Sequence, residues 1–124
     1  MTPTAKQRVA PRRARTPADL KAQARAWAEK IGVAPRRIQV QVMRTKWASC
    51  SSVGTVTFST DLLREDAGFQ EFVLVHELLH LIVPNHGRVF RGLMRAYVPE
   101  WETIANGRTG RNCGFSALPT DRQC

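Results

Sequence analysis

The sequence predicts an α+β fold in which a small antiparallel sheet packs on one strongly apolar helix, with further helices on its flanks. Three observations predict it. Residues from Phe69 to Val83 are apolar nearly all round (Phe72, Val73, Leu74, Val75, Leu78, Leu79, Leu81, Ile82), the pattern of a buried helix. Residues 38–59 alternate or run β-rich between turn signals. Helical spacing returns on both sides of these segments.

The chain has 124 residues and 43% hydrophobic content, enough for one small domain and too little for two. Residues 1–15 read as a basic disordered tail, 16–106 as the folded domain and 107–124 as a flexible C-terminal tail rich in Gly, Arg and polar residues. No run of about 18 apolar residues occurs, so no membrane partner is expected. No apolar stretch follows the basic N-terminus as in a secretory signal, and the expected compartment is the cytoplasm. Three cysteines (Cys50, Cys113, Cys124) form no disulfide framework, which suits a reducing compartment. Cys50 reads as a small buried hairpin residue, with a role near a metal as the weaker alternative. The net charge is +9, and Lys6, Arg8, Arg12, Arg13 and Arg15 precede residue 16 without one acid among them. Such a tail could touch nucleic acid weakly, but no aromatic residue interleaves the arginines to stack on bases, so a solvated tail is the simpler reading.

Taken in order, Thr16-Pro17-Ala18-Asp19 is a helix start: an N-cap, Pro in the first turn and an acid near the positive end of the dipole. Leu20, Ala24, Trp27 and Ile31 recur at helical spacing, and Gly32 suits the stop. Ile38, Val40 and Val42 alternate with polar or less apolar neighbours as a half-buried strand. Trp47 to Cys50 and Thr55 to Ser59 read as two strands joined by Ser51-Ser52-Val53-Gly54. Thr60-Asp61 caps a short helical piece through Leu63, and Gly68 precedes the apolar helix. After it, residues 88–97 suit a helix with Val89, Phe90, Leu93, Met94 and Tyr97 on its buried side, interrupted by Pro99. Trp101 and Ile104 extend the packing briefly.

All three histidines fall within residues 76–86, as His76-Glu77-Leu78-Leu79-His80, five residues, then His86. On a helix, residues four apart share a face, so His76 and His80 can aim at one ion, with Glu77 beside it. A catalytic zinc takes three protein ligands and keeps one position open. His86 is the third ligand if the chain turns back, and Pro84, Asn85 and Gly87 are the residues to turn it. The metzincin motif has the same five-residue gap but bends at a Gly where this chain has Val83. Three histidines and a glutamate on an apolar helix are costly unless paired or metal-bound. The expected cofactor is therefore one Zn2+ per chain, with another divalent metal as the alternative. Glu77 is the candidate general base for hydrolysis.

Several strings together resemble the YgjP-like metal-dependent hydrolase family, a relative of the WLM and SprT-like zinc metallopeptidases. They are Arg44-Thr45-Lys46-Trp47-Ala48-Ser49-Cys50-Ser51-Ser52, Gly54-Thr55-Val56, Val75-His76-Glu77-Leu78-Leu79-His80, Pro84-Asn85-His86, Phe90 and Tyr97-Val98-Pro99-Glu100-Trp101. The likeness spans roughly residues 38–104 and departs at Ala48, where the family usually carries Gly. The resemblance implies a minimal zincin-like fold, a metal held by His76, His80 and His86, and Glu77 as the catalytic glutamate.

These features predict a zinc-dependent hydrolase acting on a peptide or protein. In that reading Thr55 to Ser59 is a candidate edge strand for aligning a peptide, and Tyr97 a weaker candidate donor to the oxyanion. One alternative is hydrolysis of a nucleotide phosphoanhydride, with Arg44, Lys46, Arg88 and Arg91 as candidate phosphate contacts. Another is a non-catalytic DNA- or protein-binding module with structural zinc, which Cys50 alone within the domain could complete.

Overall fold

The computed structural model describes residues 12–106, and the expected C-terminal tail lies outside them. Helix α1 (Pro17–Ile31) starts where the caps place it: the Thr16 side chain accepts from the Asp19 N–H, and Gly32 ends the helix in the left-handed region at φ 90°. It buries Leu20, Ala24 and Ala28, while Trp27 and Ile31 are only half-buried.

Strands β1 (Arg37–Gln41), β2 (Ala48–Cys50) and β3 (Thr55–Ser59) form a sheet in the order β1-β3-β2. β2 and β3 are the expected antiparallel hairpin, with Ala48 opposite Phe58 and Cys50 opposite Val56. β1, however, runs parallel to β3, pairing Ile38 with Val56 and Val40 with Phe58. The sheet is therefore mixed, where the sequence suggested a wholly antiparallel one. Parallel neighbours need a crossover of about a dozen residues or more. Residues 42–54 supply it and carry β2 to the outside, so the hairpin returns β3 into the middle. β3 is accordingly buried on both faces through Val56, Thr57, Phe58 and Ser59. Val42 falls beyond β1 and stands exposed. Ala48 sits in a regular strand, and no residue other than glycine has a positive φ among the described residues, so Ala is accommodated there.

Ser59 caps a 3-10 turn (Thr60–Arg64) by accepting from the Asp61 N–H, and Asp66 caps α2 (Ala67–Leu79) by accepting from the Phe69 N–H at 2.8 Å. From Phe69 to Leu79 every residue of α2 is buried, because α1, β2, α3 (Arg88–Tyr97) and α4 (Trp101–Asn106) all pack on it. Trp47, at the start of the hairpin, meets Phe69 edge to face at 5.0 Å. On α3 only Phe90 and Met94 are fully buried, Leu93 and Tyr97 are half-buried, and Val89 points outward, 64% exposed.

Residues 12–15, read from sequence as part of the N-terminal tail, lie against the domain. Ala14 is fully buried, donating its N–H to Gln70 Oε1 at 2.7 Å and accepting from Gln70 Nε2 at 3.0 Å. The Arg13 guanidinium donates to the Leu63 carbonyl. Lys6 and Arg8 lie outside the described residues. No described helix is long and apolar enough to cross a membrane.

Candidate metal centre

The histidine helix stops earlier than its composition suggests. Its last regular residue is Leu79 and His80 is the C-cap. The next N–H groups tighten into three-residue turns, Leu81 to Leu78 O and Ile82 to Leu79 O, before Val83 bonds Leu79 O. The chain thus begins to turn at His80 and does not wait for Pro84. Asn85 completes the reversal as expected of a turn residue, its side-chain oxygen accepting from the Gly87 N–H at 3.1 Å. Gly87 has an ordinary φ of −80°; what it supplies is room, since a Cβ there would meet Asn85 Oδ1 at 3.0 Å.

This path brings His86 back onto the helix face. One ligand atom from each of His76, His80 and His86 lies within 4.8 Å of the other two, and this is the grouping able to hold a metal among the described residues. His80 Nε2 and His86 Nε2 are 3.0 Å apart. Two lone pairs at that distance repel, so a proton or a cation must lie between them. Tetrahedral zinc with Zn–N bonds of about 2.0–2.1 Å sets its ligand atoms roughly 3.3 Å apart, so the donor set fits such an ion. His80 Nδ1 lies 3.2 Å from the Val83 carbonyl. With the proton on Nδ1, that bond fixes the ring and turns the Nε2 lone pair to the centre.

Glu77 is fully buried, with Oε2 3.4 Å from His76 Nδ1. Neither Glu77 nor Cys50 belongs to the ligand grouping. Cys50 is half-buried; burial pushes its thiol up to about 11, and the nearby Glu77 charge adds to the rise. The grouping among the described residues is three imidazoles, one donor fewer than the four of a closed structural zinc site.

Phe90 is a residue whose part in the site sequence reasoning missed. It was expected only as a core residue of α3, yet its ring lies 5.1 Å from His76, 4.9 Å from His80 and 4.9 Å from His86. No local signal marks this part, since His86 precedes α3 and lies outside its helical turns. Two other expectations do not reach the site. Tyr97 meets Trp27 edge to face at 6.0 Å and lines neither cleft beside the histidines, and β3, proposed as a peptide-binding edge, is the central strand. Of the cations expected near a phosphate substrate, Lys46 lines a cleft with His80, while Arg44 pairs with Asp61 at 3.3 Å and Arg88 and Arg91 are exposed on α3. A separate hollow on the α1 side, lined in part by Trp27, Lys30 and Glu71, includes none of the histidines.

An apolar helix that brings three histidines together beside a short sheet is the arrangement of a candidate metal centre. The chain belongs to the YgjP-like family, whose metallopeptidase domain matches residues 5–106. It is a zinc metallopeptidase-like hydrolase. In fold it is similar to the metallopeptidase zymogen of Pyrococcus abyssi abylysin, with a TM-score of 0.61 and 19% identity over 75% of this chain and 97% of that one. Among curated proteins none matches the sequence.

Proposed function

We propose that the protein hydrolyses peptide bonds with a divalent ion, zinc by preference, held by His76, His80 and His86, and with Glu77 as general base. The observation that carries this reading is the convergence of the three imidazoles on one point, with Glu77 beside it on the same helix and outside the ligand grouping. When bound, the ion supplies Lewis acidity, making water a nucleophile at neutral pH and steadying negative charge on the substrate carbonyl oxygen. Glu77 takes the proton from the attacking water and returns it to the leaving amine. Its burial keeps competing solvent away from the carboxylate, and its contact with His76 orients it. The Val83 carbonyl holds the His80 tautomer, and Phe90 keeps the three rings from rotating.

On this reading an extended substrate lies along β2. This strand is an outer one in the sheet, and Ser49 and Cys50 line a cleft with His80, so an extended peptide can add beside it as a further strand.

Metal content measured beside peptidase activity tests the reading. The wild type is expected to carry a single zinc and to cleave an unstructured protein such as casein. Glu77→Gln is expected to keep the zinc and lose the cleavage, and His86→Ala to bind zinc weakly. A wild type that takes up no divalent metal would overturn the proposal.

A further inference from the structure

The helix that follows His86 has little stability of its own. Gly87 stands at the N-cap of α3, and no side chain caps its first turn. Arg88 and Arg91 lie in the first four residues, where the positive end of the helix dipole opposes cations, and no acid stands there to offset them. Gly92 occupies the middle of the helix. Its φ is not positive, and a Cβ added there would meet nothing within 4 Å. Neither the backbone nor the packing calls for glycine at this position, so its effect is to weaken the helix.

α3 is therefore held by what it touches, and it touches the domain at two ends. Near its start the Phe90 ring lies 5.1 Å from His76 and 4.9 Å from both His80 and His86. Near its finish Tyr97 meets the ring of Trp27 on α1 edge to face at 6.0 Å. Tyr97 is seven residues on from Phe90, roughly 10 Å along the helix axis. Trp27 and Tyr97 line neither cleft beside the histidines. The leading end of α3 also carries His86 to within 3.0 Å of His80 Nε2, a separation at which two lone pairs repel unless a proton or a cation lies between them. An ion that draws the imidazoles together thus holds α3 down at one end, and the Trp27–Tyr97 contact holds it at the other. Two events that each favour the docked helix favour one another, equally in both directions.

We propose, resting on the His76, His80 and His86 site of the reading above, that docking of α3 and binding of the metal are one coupled equilibrium. Tyr97 and Trp27 are then positioning residues for His86, and Gly92 lets α3 open when the ion leaves.

Amide hydrogen exchange and zinc affinity, measured on the full chain with and without zinc, test this. Zinc is expected to slow exchange of the 90–97 amides by roughly 10-fold more than that of residues 20–28 in α1. Tyr97→Ala and Trp27→Ala should each raise the zinc dissociation constant by roughly 10-fold, read by competition with a chelator. Tyr97→Phe keeps the ring contact and should bind zinc as the wild type does. Gly92→Ala works the other way: it should slow exchange of α3 in the metal-free chain and tighten zinc by roughly 2- to 5-fold. Gln70→Leu loosens the far end of α2 and should leave zinc affinity in place, separating the coupling from a general loss of stability. Zinc affinity unchanged in both Tyr97→Ala and Gly92→Ala, or zinc that slows every helix by the same factor, overturns the inference and leaves the metal site standing. So does a loss of zinc affinity in Gln70→Leu as large as that in Tyr97→Ala. A chain that takes up no zinc overturns both.

Discussion

The two helices that flank the histidines are built on opposite terms. α2 is surrounded: from Phe69 to Leu79 no residue reaches solvent appreciably, and His76 and Glu77 lie as deep as the leucines beside them. α3 is a surface helix that buries Phe90 and Met94 and shows Arg88, Arg91 and Arg95 to water. The site draws on both. His76 and Glu77 are set by core packing, which is dense and does not yield easily. His86 is set by a turn, and the ring that holds it, Phe90, comes from the helix after that turn. One half of the candidate centre is therefore fixed by the domain's core, and the other depends on how well α3 docks.

The largest effect should separate chemistry from that architecture. Glu77→Gln keeps the size of the side chain and is expected to lower peptidase kcat by roughly 10²–10⁴-fold, the worth of a positioned proton acceptor, with the metal retained. Steady-state kinetics beside zinc analysis checks this. If Glu77→Gln loses the zinc instead, the deep half of the site is a ligand set and not a base beside one.

Phe90→Ala attacks the docked half. Removing a buried ring is expected to cost about 3–5 kcal/mol by urea denaturation, and to weaken zinc binding because three imidazoles lose their common neighbour. Val89→Ala, next to it but exposed, should stay within about 0.5 kcal/mol of wild type. Similar losses in both would mean that the facing of α3 is wrong.

These two adjacent residues also show the limits of reading the site from sequence. Both are apolar and both were expected inward. Helical spacing selects a face about a third of the way round, and Val89 falls just off it. That Phe90 meets the histidines depends on the angle at which α3 returns, which no local pattern contains. The spacing of His76, His80 and His86 was legible because helix geometry and Pro84-Asn85 are local signals.

Gln70 probes the deep half again, at its other end. Its amide is fully buried and bridges Ala14 N–H, Ala14 O and Leu62 O. Gln70→Leu should cost about 1–3 kcal/mol, because buried backbone groups lose their partner, and should open residues 12–15 to proteolysis. Zinc affinity should hardly change. A loss of zinc as large as that of Phe90→Ala would show that α2 is not rigid along its length.

The smallest effect concerns Cys50. Its thiol rises from about 9 to about 11, by burial first and the Glu77 charge second. A raised value favours the neutral thiol in the folded state. The corresponding stability is complete below pH 9 and is lost as the pH rises towards 11. Alkylation of the metal-free protein with iodoacetamide should follow the raised value, and Glu77→Gln should lower it part of the way. A profile unchanged by that substitution would place Glu77 farther from the cleft.

The sequence by itself determined the things that depend on near neighbours along the chain. These are the span and caps of α1, the span of α3, the β2–β3 hairpin with its turn at Ser51–Gly54, and the helical face shared by His76 and His80. Each follows from hydrogen bonds and side-chain periods within a few residues. Only the tertiary structure decided that β3 lies between β1 and β2, that β2 therefore takes the outside, that Ala14 locks onto Gln70, and that the histidine helix stops at His80. The physical reason is common to all four. Strand neighbours, buried polar bonds and the ends of packed helices are settled by competition among groups distant in sequence, and that competition is resolved only when the chain closes on its core.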